Sequence, residues 1–291
     1  MKHELVDLLA LGRRLLEAGD RAGAAVCCGA ALRIDPACLE AHNLREVHSL
    51  AGNMTAWTGV NAIISPDDDI FRFFVGHPTS ISPIRDYLAD GWRTLSELQR
   101  LLERCNVSLG GSGSFMEFAC GHGRFTRHLK AVLPDGALHV SDVVAGSLDF
   151  LNKTFGVHGV LSHADPTQVR FPRKYQVVFV LSLFSHLPRK AWAAWLDCLW
   201  RATAPGGVLV FTTHGEKSAA TDKVQLAADG FAFYSQSESA VLAGDDYGCA
   251  YARESFVRQL IGERFPETEV DFAPAHFWAG QDAYMLSGAG G

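Results

Sequence analysis

The residues best suited to chemistry begin at Glu117-Phe118-Ala119-Cys120-Gly121-His122-Gly123. Two glycines one residue apart, after an apolar run and before a helical pattern, read as a turn whose backbone amides can receive a ligand. A nucleotide-type cofactor is the expected occupant. The spacing discriminates among such cofactors: a dinucleotide fingerprint needs a third glycine three residues after Gly123, and Thr126 stands there, which disfavours NAD. His186 and His214 each follow a later apolar run. An imidazole there can accept a hydroxyl proton near neutral pH, or it can pack beneath a ligand and bond a loop carbonyl. Tyr234, Tyr247 and Tyr251, with Asp245 and Asp246, suit a pocket for a sugar or another hydroxylated compound, or are ordinary residues of a covering loop. His122 is expected to point its side chain away from the glycine turn, and Arg170, Arg173 and Lys174 read as a solvated turn.

The elements that must position these groups follow from hydrophobic period. From Phe115 onward short apolar runs alternate with helical stripes, the pattern of βαβ units, and predict an α/β fold with a mostly parallel sheet. Strands are expected at 115–119, 137–141, 160–161, 177–181 and 208–211, the last entered through a turn at Pro205-Gly206-Gly207, and near 269–272 and 283–286. Helical stripes run through Phe125, Leu129 and Val132; Leu148, Leu151 and Phe155; Trp192, Trp195, Leu196 and Leu199; and Phe256, Leu260 and Ile261. This order puts His186 after the fourth strand and His214 after the fifth, at carboxyl ends where open α/β sheets collect ligands. Residues 215–251 show no clean period and are expected to form a lid insertion. Before the sheet, residues 1–65 read as helices with short breaks, residues 66–110 as a helical linker or cap, and residues 111–291 as the ligand-binding domain, with the boundary near Ser65-Pro66-Asp67. Leu11-Gly12, Leu15, Gly19, Ala24, Cys28, Ala31 and Pro36 resemble one tetratricopeptide repeat, followed by a degraded second start. Such a segment cannot bury its own apolar face, so it is expected to pack on the next domain, on a second copy or on a protein partner.

Longer strings carry a second resemblance. Glu117-Phe-Ala-Cys-Gly-His-Gly-Arg124, Ser182-Leu-Phe-Ser-His-Leu-Pro188, Pro205-Gly-Gly-Val-Leu-Val-Phe-Thr-Thr-His-Gly215, Tyr247-Gly-Cys-Ala-Tyr251 and Gly280-Gln-Asp282 resemble the motifs of a bacterial group of class I S-adenosylmethionine (SAM) methyltransferases. The resemblance spans roughly residues 80 to 287. It implies a Rossmann-like seven-stranded sheet with helices on both faces, SAM as cofactor and S-adenosylhomocysteine (SAH) as product. It also implies that Glu117, Ala119, Cys120, Gly121 and Gly123 cradle the cofactor and that Asp142, with Val143, meets the ribose diol. Asp165 would meet the adenine amino group, Leu181 and Ser182 would line the site, and Tyr87 and Gly91 would approach the methionine tail. Read alone, Asp142 also suits the N-cap of the next helix. The chain departs from the group's pattern at Glu117 and Ala119, where the group has Asp and Gly, and at Asp142-Val-Val, where it has acidic-x-acidic.

Composition bounds the partners. With 26 Lys plus Arg against 32 Asp plus Glu, the net charge of -6 supplies no positive field for a phosphate backbone, which argues against nucleic acid as a partner. The longest apolar run, Tyr175 to Phe184, is about half of a membrane span, and the N-terminal residues lack the apolar centre of a secretory signal. No membrane association and a cytoplasmic location are therefore expected. Seven cysteines without a Cys-x-x-Cys pair suggest reduced packing residues and no metal site. The expected activity is methyl transfer from SAM to a hydroxyl of a small molecule or saccharide, with His186 or His214 as the base. The alternatives are a SAM-binding scaffold without catalysis and an NAD-dependent oxidoreductase.

Overall fold

The computed structural model describes residues 2–236 and 244–288. Three helices open the chain: α1 (Lys2–Glu17), α2 (Arg21–Ile34) and α3 (Leu39–Val47). Asp20 caps α2 by accepting from the Gly23 amide at 2.8 Å. Small residues let α1 and α2 approach closely, because a Cβ on Gly12 would already touch Cys27 while Ala24, Cys28 and Ala31 are buried between the helices. A short α4 (Thr55–Thr58) and an extended stretch at 60–64 lead into α5 (Asp69–Gly76), capped by Asp68, and α6 (Pro83–Arg104), which starts on a proline. Ala62 and Ile64 pack with Phe71, Phe74, Ile84 and Tyr87, and against Leu32, Leu39 and Met54, so apolar packing is continuous across position 66.

The sheet region runs β1 (Phe115–Phe118), α7 (Thr126–Val132), β2 (Leu138–Asp142), α8 (Ala145–Phe155), β3 (His158–Leu161), β4 (Tyr175–Val180), α9 (Arg189–Ala202) and β5 (Thr203–Thr213). It continues with α10 (Glu216–Thr221), β6 (Phe231–Tyr234), β7 (Cys249–Ala252), α11 (Glu254–Arg264), β8 (Glu269–Phe277) and β9 (Gln281–Ser287). Among the described residues seven strands form one sheet in the order β3-β2-β1-β4-β5-β9-β8, parallel except for β9, which runs against both β5 and β8. The fold is thus the expected Rossmann-like α/β arrangement.

Both faces of the sheet are covered. Leu98, Leu101, Leu129 and Leu151 pack on one side, and Trp192, Leu196, Leu199, Phe256 and Ile261 on the other. Central strands buried on both faces need unbroken apolar runs, which is what Val177–Val180 supply. Strand order reverses between β1 and β4, so the carboxyl ends of those two strands flank the crevice where ligands gather.

Two local expectations are corrected. Pro205-Gly206-Gly207 does not precede β5 but lies within it, at an irregularity between the pairs Tyr175↔Thr203 and Val177↔Val208. Gly207 is needed there because a Cβ would stand 2.8 Å from the Gln176 carbonyl oxygen of β4. The stretch after His214 is also not irregular throughout, since it holds α10 and the antiparallel pair β6–β7. Ala250 and Gly248 donate amides to the carbonyls of Ser185 and His186, and Ala252 donates to that of His214, which fastens β7 over the ends of β4 and β5. Among the described residues no helix is long and apolar enough to cross a membrane.

Candidate active site

The chain leaves β1 through a turn with three residues in left-handed conformation: Ala119 (φ 60°), Gly121 (φ 54°) and Gly123 (φ 85°). Gly123 is needed twice over, by its φ and by packing, because a Cβ would stand 2.9 Å from the Phe155 ring. Gly121 differs: a Cβ there would meet nothing within 4 Å, so the turn opens onto free space at that point. Cys120 lies beneath, its thiol buried 3.7 Å from the Gly121 carbonyl and pushed well above the ordinary thiol range by desolvation, hence inert. His122 turns toward Phe150 of α8, ring centroids 6.3 Å apart.

Two carboxylates bracket the turn. Glu117, inside β1, is fully buried and accepts from the Thr126 hydroxyl at 2.7 Å. Desolvation lifts its pKa to about 8, helped by the neighbouring Asp142 charge. Asp142 ends β2 and joins the turn to the start of α8, one oxygen accepting from the Gly121 amide at 2.8 Å and the other from the Val144 amide at 2.9 Å. Burial raises its pKa as well. The N-cap of α8 is Val144, not Asp142, so the capping alternative for Asp142 is not realised. The Val143 side chain is exposed beside it.

After β4, Leu181 is half-buried and Ser182 takes φ 63°, a left-handed conformation for a non-glycine residue. Strain of this kind persists only where surroundings enforce it. Here a polar ring does so: the Ser182 amide donates to the Thr212 hydroxyl (2.8 Å), Thr212 donates to Gln281 Oε1 (2.6 Å), and Gln281 Nε2 donates to the Ser182 hydroxyl (2.7 Å). The two strands flanking the reversal of strand order therefore both end in a strained residue, Ala119 and Ser182.

Beyond Ser182 aromatic rings form a row. Tyr247 stacks on His186 at 4.6 Å, His186 lies 6.1 Å from His214, His214 lies 5.2 Å from Tyr251, and Tyr234 is 6.4 Å from Tyr251. His186 Nδ1 is 2.8 Å from the Gly248 carbonyl oxygen, which assigns the proton to Nδ1. His214 bonds the Ala250 backbone, has a buried Nδ1 without a hydrogen-bond partner, and is held down to about pKa 4 by desolvation and the nearby His186. Tyr251 donates its hydroxyl to Asp222 at 2.9 Å. Asp245 and Asp246 are exposed, and Asp246 lies 3.9 Å from Lys190 Nζ.

Three further expected residues have defined surroundings. Tyr87 is wholly buried and donates its hydroxyl to Asp68 at 2.5 Å. Gly91 lets α6 pass against the Arg124 carbonyl and the His128 ring, closer than any Cβ permits. Asp165 is half-exposed and caps a short 3-10 turn, accepting from the Thr167 amide and hydroxyl and from Gln168. Thr126 and Thr212 were not anticipated as positioning residues. Thr126 had a signal, standing where a dinucleotide site would need glycine, but its bond to a carboxylate nine residues earlier has none. Among the described residues no group of three or more His, Cys, Asp or Glu could hold a metal ion.

The turn can be tested against a SAM-type ligand on these features. Gly121 leaves room above the turn, and each Asp142 oxygen, already taking one amide, retains a second lone pair for a hydroxyl donor. A buried carboxyl at Glu117 suits an ammonium group. The donor set fits.

Residues 115–207 match the model of a methyltransferase domain. The fold is similar to that of magnesium protoporphyrin IX methyltransferase from Synechocystis PCC 6803 with bound SAH, at 12% identity and a TM-score of 0.50, covering 76% of this chain and 94% of that one. It is also similar to DesVI of Streptomyces venezuelae, at 15% identity and a TM-score of 0.50, covering 76% and 98%. No curated protein matches the sequence. Structures this distant speak for the fold alone, and the domain match speaks for residues 115–207. The domain match begins at the first residue of β1 and ends within β5: residues 115–207 match a methyltransferase domain, and the sheet that holds them has the fold of solved methyltransferases.

Proposed function

We propose that this chain transfers the methyl group of SAM to a hydroxyl of a small molecule or a saccharide and releases SAH. Two imidazoles at the carboxyl ends of β4 and β5, with ring centroids 6.1 Å apart in a row of tyrosines, carry this reading. When bound, SAM would supply a sulfonium-activated methyl with the neutral thioether of SAH as its leaving group, taken by the acceptor oxygen as that oxygen gives up its proton.

The chain's own residues do the rest. Glu117 and the turn 119–123 hold the charged and polar ends of the cofactor, and Asp142 accepts from its diol. Val143 would stand beside the ribose with Asp142, and Asp165 would meet the adenine amino group. The row of rings at Tyr247, His186, His214 and Tyr251 holds the acceptor beside Ser182, excluding water and aligning its hydroxyl. A sulfonium already carries a good leaving group, so alignment is the main demand, and a base is needed only because an alcohol is weakly acidic. The hydroxyl proton passes to a ring nitrogen of His186 or His214. His214, with its depressed pKa, stays neutral and able to accept throughout the neutral range.

The test follows labelled methyl from SAM into pools of hydroxylated and of amine-bearing metabolites, with wild type, His186→Ala and His214→Ala. Label entering a hydroxyl, with turnover lower by about 100-fold or more in one variant, supports the reading. Label entering only amines would remove the hydroxyl assignment, and undiminished turnover in both variants would remove the imidazole base.

A further inference from the structure

One buried side chain ties the segment before the sheet directly to the glycine turn. Arg127 on α7 is 2% exposed, and its Nε donates to the Gly123 carbonyl at 3.0 Å, the last carbonyl of the turn. Its Nη1 donates to the carbonyls of Asn61 (3.1 Å) and Ile63 (2.8 Å), and its Nη2 donates to the Tyr87 hydroxyl at 3.4 Å. The guanidinium also lies 5.3 Å from the Tyr87 ring centre and 5.0 Å from that of Phe155. A planar group with five donors in a fixed fork serves these directions together, and a lysine does not.

The extended stretch 61–64 is shared between two neighbours by alternation. Its odd carbonyls, Asn61 and Ile63, go to Arg127. Its even carbonyls go to α3: Ala62 O is 2.8 Å from His42 Nε2, and Ile64 O accepts from Asn43 Nδ2 at 2.8 Å. Asn43 closes a second bond by accepting from the Ile64 amide at 3.1 Å. Asn61 also donates to the Thr154 carbonyl near the end of α8. A continuous run of hydrogen bonds therefore leads from α3 through residues 61–64 and Arg127 to Gly123. Arg124, next to Gly123, is tied to α6 by a buried ion pair with Asp90.

We infer that Arg127 is a positioning residue for the cofactor turn and that, through it, the stretch held by α3 sets how tightly the turn binds SAM and SAH. This rests on the reading of the turn as the SAM site. A Gly123 carbonyl anchored from outside the sheet fixes the direction of the turn's backbone amides before the ligand arrives, and pre-organisation of this kind appears as affinity. The N-terminal helices are then part of the binding apparatus and not only a docking appendage.

The experiment measures SAH dissociation constants by calorimetry and amide hydrogen exchange across residues 119–126, on the full chain, for wild type, Arg127→Met, Arg127→Lys and Asn43→Ala. The expected result is a dissociation constant raised about tenfold or more in Arg127→Met, a smaller rise in Arg127→Lys, and a severalfold rise in Asn43→Ala, each with faster exchange in the turn. Should Arg127→Met fail to fold, Asn43→Ala still decides, because Asn43 touches no part of the turn. Lower melting temperatures with unchanged SAH affinity and unchanged exchange in the turn would overturn the inference and leave the SAM reading intact. A wild-type protein that binds no SAH would overturn both.

Discussion

Glu117 is a carboxyl that the fold keeps protonated until it has a cationic partner. Its pKa of about 8 arises from burial, with only the Thr126 hydroxyl to stabilise the charged form. A ligand ammonium must therefore draw a proton off Glu117 below pH 8, and that cost disappears as pH rises. SAH affinity should climb between about pH 6 and 8 and then level, and Glu117→Gln should remove the slope; parallel pH profiles of the two proteins in a calorimetric titration would count against this role. Burying a carboxyl without a charged partner is expensive, so its place in the interior of β1 is itself a reason to expect a cation there. The identity of Glu117 was readable in the sequence. Its restraint by Thr126 was not, because a contact nine residues apart across a turn leaves no periodic trace.

At the scale of elements, the parallel strands were the most legible feature. Val177–Val180 is apolar on both faces because helices cover both, as is Phe115–Phe118 apart from Glu117, and such runs stand out from the helical stripes around them. β6 and β7 were illegible: four-residue strands whose partner is each other carry too few residues to show a period. The bulge at Pro205–Gly207 looked like a turn because proline and glycine mark both, and only the approach to Gln176 in β4 tells them apart. Helix α6 offers a direct check. Gly91 is the one place where it meets the Arg124 carbonyl, so Gly91→Ala should cost about 1 to 3 kcal/mol in urea unfolding as α6 is pushed off the turn. A change within experimental error would mean that the helix shifts freely there. The polar ring around Ser182 is a second check: Thr212→Val leaves the Ser182 amide without its acceptor and should cost about 1 to 3 kcal/mol, read by the same method.

For the whole molecule, stability should depend on pH through the groups that burial holds neutral. Glu117 has its folded pKa raised from 4.5 to about 8, so its contribution is full below pH 4.5 and is lost as pH rises through 8. His128 and His214 have theirs lowered from 6.5 to about 4, so their contribution is full above pH 6.5 and is lost as pH falls through 4. The melting temperature of the free protein should decline from a maximum near pH 5 to 6 in both directions, and Glu117→Gln should flatten the alkaline arm. A melting temperature that keeps rising to pH 8 would contradict the burial of Glu117. The division into residues 1–65, 66–110 and 111–291 stands as a proposal about independent folding. The apolar contacts across position 66 and the Arg127 bonds to residues 61 and 63 make it a question of coupled stability, not of linker length. The Arg127 bonds were beyond the sequence because they join residues 66 and 64 positions apart.

The most direct test of the account is a calorimetric titration of SAH into wild type and Asp142→Asn. Asparagine keeps an acceptor for the Gly121 or Val144 amide but removes the charge that receives the ribose hydroxyls. The account predicts saturable one-site binding in wild type and an affinity lower by about 10- to 100-fold in the variant, the equivalent of one or two charge-assisted hydrogen bonds. No binding in wild type, or equal affinities in the two proteins, would contradict it.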